Sequence, residues 1–235
     1  MIAIYKEKIL EPLVHMIYPH LCAGCESDLL EQNELVCYKC ISSLPHTHFA
    51  SIENNPVEKI FWGRVDIAAA MSEFYFTKNS VVQNLVYELK YRDNKAIGIY
   101  LGEMIGESIL GSDRFKNIDA IIPIPLYKSR EKKRGYNQAA LLANGISKII
   151  NIPSIENNVI RTRATDTQTK KHRRDRWENV SGGFAIKNPK VLEQKHLLLV
   201  DDVLTTGATL EACAIEIFKI PGVKISIAVL ALARE

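Results

Sequence analysis

Asp201 and Asp202 stand side by side and lead into Val203-Leu204-Thr205-Thr206-Gly207-Ala208-Thr209. Two adjacent carboxylates can accept hydrogen bonds from sugar hydroxyls, or hold Mg²⁺ directly or through water. The hydroxyls of Thr205, Thr206 and Thr209 are donors suited to an anion. Gly207 lets backbone approach that anion closely, and Ala208 lies within the same turn. The carboxylates cannot sit on a phosphate, because like charges repel. A sugar phosphate with its metal satisfies both halves of the stretch.

Four of the five cysteines form two Cys-x-x-Cys pairs, Cys22 with Cys25 and Cys37 with Cys40. Each pair presents two thiolates to one tetrahedral ion. Soft sulfur ligands favour zinc, with an iron–sulfur cluster as the rival and disulfides as the alternative without metal. Four protein ligands leave no open coordination position, so the site reads as structural. His20, His46 and His48 lie nearby and read as solvated loop residues. Removal of the metal is expected to unfold this module and leave the sugar-phosphate site largely intact.

Two further stretches are basic. Lys128 and Arg130 open a run that continues with Lys132, Lys133 and Arg134. Such a run can hold a pyrophosphate, though charge runs are usually solvated faces. Residues 161–179 place seven Lys or Arg residues in their first sixteen positions, with no apolar periodicity before Trp177. A polar segment this long is functional or mobile. It could close over a crevice as a lid or track a nucleic-acid backbone.

The elements that position these groups follow from the apolar pattern. Leu197 through Val200 read as a buried strand that ends on the two aspartates. Leu210, Cys213, Ala214 and Ile217 mark one helix face after the loop. Asp119 through Pro125 form a second strand running into the basic stretch, and Ala139, Leu142, Ala143 and Ile146 mark the helix beyond it. Two strand-to-helix loops at the carboxyl edge of one parallel sheet make a single crevice. Upstream, Asp66–Phe76 reads as a strand or hairpin. Val82, Leu85, Val86 and Leu89 mark one helix, and Ile97, Leu101, Met104 and Ile105 the next. Lys90 and Arg92 read as basic residues complementing a helix end. Gly182 through Ile186 resume ordered structure, and Lys224–Leu232 form a last buried strand. Leu10, Leu13, Val14 and Ile17 indicate a short N-terminal amphipathic helix. Pro45, Asn54-Asn55 and Pro56 mark a linker over residues 45–60.

The strand followed by Asp-Asp-x-x-Thr-Thr-Gly-x-Thr closely resembles the phosphoribosyl-pyrophosphate (PRPP) motif of type I phosphoribosyltransferases. Adding the Cys₄ module, Ile122-Pro123-Ile124-Pro125-Leu126, Arg134-Gly135-Tyr136-Asn137-Gln138-Ala139, Thr165-x-x-Gln168, Arg176-x-x-Asn179 and Gly183-Phe184, the chain resembles the ComF family (ComFC- and GntX-like proteins). It carries Lys170-Lys171 where the family usually has Leu.

The resemblance implies an α/β fold. It has a mostly parallel sheet flanked by helices over residues 59–235, and a small N-terminal zinc-binding module with a linker over residues 1–58. It assigns Asp201 and Asp202 to the ribose hydroxyls and catalysis. Thr205, Thr206, Gly207, Ala208 and Thr209 go to the 5′-phosphate, and Lys128 and Arg130 to the pyrophosphate with Mg²⁺. Thr165, Gln168, Arg173, Arg174 and Arg176 go to a flexible loop. The implied activity is phosphoribosyl transfer in support of DNA uptake during natural competence, with an unassigned acceptor. The alternative is a non-catalytic competence module that binds single-stranded DNA and uses PRPP or a nucleotide as ligand. Competence helicase-type proteins are the implied partners.

Length and composition fit these expectations. The chain has 235 residues, 47% hydrophobic, with a net charge of +3, too small to argue nucleic-acid binding alone. No apolar run is long enough to span a membrane. Lys6, Glu7, Lys8 and Glu11 interrupt the N-terminus where a secretory signal would be apolar, so a cytoplasmic protein is expected. Little chain follows the last strand, so no C-terminal acceptor-binding hood is expected.

Overall fold

The computed structural model describes residues 21–28, 30, 34–163 and 183–233. The residues expected to form an N-terminal helix, and the loop residues Thr165, Gln168, Arg173, Arg174 and Arg176, lie outside them.

Six strands are described: β1 (Ala69–Phe76), β2 (Ala120–Pro123), β3 (Val159–Arg161), β4 (Phe184–Ile186), β5 (His196–Leu204) and β6 (Lys224–Ala233). Four of them form a parallel sheet in the order β1-β6-β5-β2, and β3 pairs antiparallel with β4. Leu197–Val200 and Ile121–Ile122 are fully buried, as expected of strands covered on both faces.

Both sheet edges are covered. Beyond β2, Ile121 N–H donates to Pro153 O (2.9 Å) and Ile155 N–H donates to Ile121 O (2.8 Å). Beyond β1, Tyr75 N–H donates to Pro45 O (3.0 Å) and Thr47 N–H to Glu73 O (3.0 Å). Unpaired strand edges are templates for aggregation, and these chain segments occupy them.

Seven α-helices are described: α1 (Tyr38–Ser42), α2 (Pro56–Phe61), α3 (Val81–Tyr91), α4 (Lys95–Leu110), α5 (Lys128–Arg134), α6 (Gln138–Ile150) and α7 (Ala208–Ile217). α3 buries Val82, Leu85, Val86 and Leu89, and α7 buries Leu210, Cys213, Ala214 and Ile217, as the apolar spacing predicts. α4 packs along α6 and onto β1 and β6, while α6 covers β2 and β5. α7 connects β5 to its parallel neighbour β6 and packs against β4.

Two segments differ from their sequence reading. The basic run is a helix, α5, because Lys128–Arg134 are mostly good helix formers and Gly135 ends it at φ 81°. Residues 45–60, read as a linker, are packed. Asn55 is buried and caps α2 by accepting from Val57 and Glu58 N–H, while its amide donates to Phe49 O, Ile52 O and Ala70 O. One continuous core runs from Cys22 to Leu232.

Candidate ribose-phosphate and metal sites

β5 carries the aspartates within its last turn of strand, and the loop Thr205–Gly207 follows before α7 begins at Ala208. Asp202 N–H donates to Asp201 Oδ1 (2.9 Å), and Val203 N–H to Asp202 Oδ1 (2.6 Å). These bonds orient the two carboxylates from their own backbone.

Cations from distant segments meet them. Lys90, at the end of α3, places Nζ 2.8 Å from Asp202 Oδ2, with side chains only 20% and 14% exposed. At that burial the pair is less screened by solvent and salt than a surface salt bridge. Arg161, in β3, is held below its usual range by burial and by Arg130, and Asp201 opposes the shift. The structure therefore brings Arg130, Arg161 and Asp201 into one electrostatic neighbourhood. Lys128 is exposed on the first turn of α5.

Burial, and then the charge of Asp202, push Asp201 up to about 7; the Asp202 N–H, Lys90 and Arg161 act in the other direction. The sign for stability follows. A carboxyl raised on folding is favoured protonated, so its contribution is full at low pH and is lost as pH rises through about 7. Asp201→Asn, fixed in the neutral form, is expected to raise the melting temperature by a few degrees at about pH 8 and by less at about pH 5. Thermal denaturation at the two pH values checks it; an equal shift at both would remove the ionisation as the cause.

Gly207 is the N-cap of α7, with φ 77° and no side-chain cap hydrogen bond among the described residues. First-turn N–H groups and the positive end of a helix dipole are a chemistry able to bind an anion. Thr205 and Thr206 are exposed, and Ala208 and Thr209 are half-buried. A Cβ on Gly207 would lie 2.8 Å from Ile60 Cγ2 and 3.1 Å from Phe61 Cε1, so α2 closes the loop from behind. Arg64 clamps the same side: Nη1 donates to Thr206 O (2.9 Å) and Ile60 O (3.0 Å), and Nη2 pairs with Glu211 of α7. A cleft of about 700 Å³, lined in part by Trp62, Arg64, Asp66 and Arg114, lies at the start of β1 and not at the aspartates.

Lys90, Arg161 and Arg64 are the residues that sequence reasoning missed. Lys90 was visible only as a basic residue at a helix end. Arg161 stood at the head of the basic segment without an individual role, and nothing in its surroundings singled out Arg64.

The four cysteine Sγ atoms of Cys22, Cys25, Cys37 and Cys40 lie within 4.8 Å of one another, with Cys25 and Cys37 at 3.8 Å. A tetrahedral ion with bonds of about 2.3 Å requires sulfur separations of about 3.8 Å, so the cluster fits one ion. Cys22 Sγ accepts from Gly24 N–H (3.4 Å) and Cys37 N–H (3.2 Å). Burial alone would raise the Cys22 thiol, but these donors and a Cys25 contact bring it down to about 7. Gly24 is fitted between Cys40 Sγ and Val81 Cγ1, each 2.9 Å from where a Cβ would stand. Its carbonyl accepts from Asn84 Nδ2 on α3 at 2.7 Å.

The histidines are not merely solvated. His46 is half-buried with Nδ1 2.8 Å from Glu73 Oε1, and it stacks on the exposed His48 with ring centroids 5.8 Å apart. His20 lies outside the described residues.

Among the described residues no helix is long and apolar enough to cross a membrane. Residues 130–235 match the phosphoribosyl transferase domain. The chain is 30% identical to competence protein F of Haemophilus influenzae, over 84% of this chain and 83% of that protein. It is 32% identical to the DNA utilization protein YhgH of Escherichia coli K12, over 55% of this chain and 58% of that protein. Among solved structures, adenine phosphoribosyltransferase from Leishmania tarentolae is similar over 81% of this chain and 94% of that chain, with 11% identity and a TM-score of 0.39.

Proposed function

We propose that this chain, which belongs to the ComF family of phosphoribosyltransferase-domain competence proteins, binds PRPP together with Mg²⁺ at the end of β5. The observation that supports this most is the pairing of Asp201 and Asp202 with a glycine-capped helix N-terminus, free of a side-chain cap, shortly beyond them. The aspartates accept from the ribose 2′- and 3′-hydroxyls. The N–H groups and hydroxyls of Thr205, Thr206, Gly207, Ala208 and Thr209 hold the 5′-phosphate. Lys128, Arg130 and Arg161 face the pyrophosphate. Hard carboxylate oxygens suit Mg²⁺, which supplies charge neutralisation for the pyrophosphate when bound.

With the sugar anchored at both ends, the bond from C1 to the pyrophosphate oxygen breaks and an acceptor nucleophile takes C1. The electron pair leaves with pyrophosphate. Positive charge develops on the ribose ring, as in glycoside cleavage, and the paired carboxylates stabilise it electrostatically. The family and the names of both relatives carry the role to DNA uptake or use. The same names favour a second reading, a non-catalytic module in which PRPP or a nucleotide is a ligand and single-stranded DNA the partner. Pyrophosphate release that requires an added acceptor separates the two. Calorimetric titration of PRPP with Mg²⁺ tests the site common to both.

We assign zinc to the four cysteines, and with it a structural role. The contacts of Gly24 with Val81 and Asn84 tie the cluster to α3, the helix that carries Lys90 to Asp202. This changes the expectation of independence drawn from cysteine spacing alone. Stripping the metal is expected to weaken PRPP binding roughly threefold to thirtyfold, the size of a coupling of about 0.5–2 kcal/mol. Titration of metal-free protein, its metal content verified, checks this, and unchanged affinity would restore independence.

A further inference from the structure

Two tyrosines on α3 are strongly exposed, Tyr87 at 50% and Tyr91 at 63%. A single exposed aromatic is ordinary, but these stand one turn apart with ring centroids 5.1 Å apart. Each is also covered by a guanidinium. Arg92 lies 5.9 Å over Tyr87, and Arg134 lies 5.6 Å over Tyr91. The result is a surface ladder of Arg92, Tyr87, Tyr91 and Arg134. Glu26 and Glu88 approach Arg92 at 3.8 Å and hold that end of it. At the other end Arg134 continues into α5, whose sequence Lys-Ser-Arg-Glu-Lys-Lys-Arg has five cations and one acid, none of its residues buried.

We infer that this ladder is a binding platform for single-stranded nucleic acid. Flat π-faces interleaved with guanidinium planes stack unpaired bases, and the α5 cations attract the phosphate backbone. A duplex hides its base faces, so unpaired strands are preferred. Positive charge along α5 favours a polyanion over an apolar peptide, which would need a groove of aliphatic side chains. Lys90, on the same helix as the tyrosines, reaches Asp202, so α3 carries residues of both the platform and the candidate ribose-phosphate site. The inference deepens the nucleic-acid side of the proposed function and does not depend on PRPP being bound.

The test is fluorescence anisotropy of a labelled single-stranded oligothymidylate with the full chain. Tyr87→Ala/Tyr91→Ala is expected to weaken binding by about tenfold or more, while Tyr87→Phe/Tyr91→Phe keeps most of it, because stacking needs the ring and not the hydroxyl. Arg134→Gln is expected to lower the salt slope by about 0.7, one phosphate contact, which the tyrosine changes leave alone. PRPP titration of the two tyrosine double variants reads out the ribose-phosphate site separately, and it is expected to be unchanged. No binding to the parent, undiminished binding by the alanine pair, or equal loss in the phenylalanine pair would each overturn the platform. Loss of PRPP binding with oligonucleotide binding intact would count against the ribose-phosphate reading alone.

Discussion

Asp201→Asn/Asp202→Asn is expected to abolish saturable binding of PRPP with Mg²⁺ in a calorimetric titration. Asparagine keeps the shape of aspartate, and its Oδ1 can still accept from the N–H groups of residues 202 and 203. The strand should therefore survive. The charge that ribose hydroxyls and Mg²⁺ would meet is lost. Hydrogen bonds to a charged group contribute about 1.5–3 kcal/mol each, so two lost carboxylates amount to about 3–6 kcal/mol, or two to four decades in affinity.

A second ligand separates this cause from general electrostatics. The double variant leaves Lys90 and Arg161 without their acidic neighbours. Inorganic pyrophosphate without Mg²⁺ should then bind at least as well as to the parent, because the site has become more positive. Parallel loss of both ligands would mean that the site had collapsed. Retained PRPP binding would move the ribose away from β5. A folded, zinc-loaded parent that binds no PRPP at all would leave the nucleic-acid module as the better account.

Gly102→Ala is expected to lower stability clearly, although it adds a single methyl to the core. Gly98, Gly102 and Gly106 form one stripe of α4 against α6. A Cβ at residue 102 would stand 2.2 Å from Leu142 O, and one at residue 145 would stand 2.1 Å from Ile99 O. These neighbours are backbone and cannot rotate away, so the helices would have to separate. Alanine gains about 1 kcal/mol of helix propensity over glycine. Overpacking of this kind costs about 1–3 kcal/mol and sometimes more, and here no side chain can relieve it. With the cost at the upper end of that range, the balance is a net loss of about 2 kcal/mol, or a fall in melting temperature of about 4–8 °C for a chain of this size. Gly111→Ala is the control. Its nearest neighbour lies at 3.5 Å and its φ is −75°, so the melting temperature should barely move. Equal effects at the two positions would remove the close approach to α6 as the cause.

The glycine stripe also marks where sequence reading stops. Ile97, Leu101 and Ile105 identified the buried face of α4 because apolar side chains recur at helical spacing. Glycine has no side chain to signal burial, so the closest helix contact of the fold left no trace in that pattern. The basic run from Lys128 was read as a loop for a related reason. Charge suggested solvent, and α5 is indeed solvated, but exposed Lys and Arg are also good helix formers.

The strand–loop–helix around Asp201–Thr209 and the paired cysteines were legible because each is local. Their spacing is set by backbone geometry, and their chemistry is carried by neighbours in the chain. The partners of these groups were not legible. Arg64 meets Thr206 across 142 residues, Lys90 comes from α3 to Asp202, and Arg161 comes from β3 to Asp201. A lone basic residue carries no information about which acid it will face. Its partner is chosen only when the β1-β6-β5-β2 order and the packing of α2 and α3 bring the segments together. The sequence by itself therefore determined the two local motifs and the elements that hold them. Tertiary structure alone decided which cations surround the aspartates, because electrostatic pairing acts through space and not along the chain.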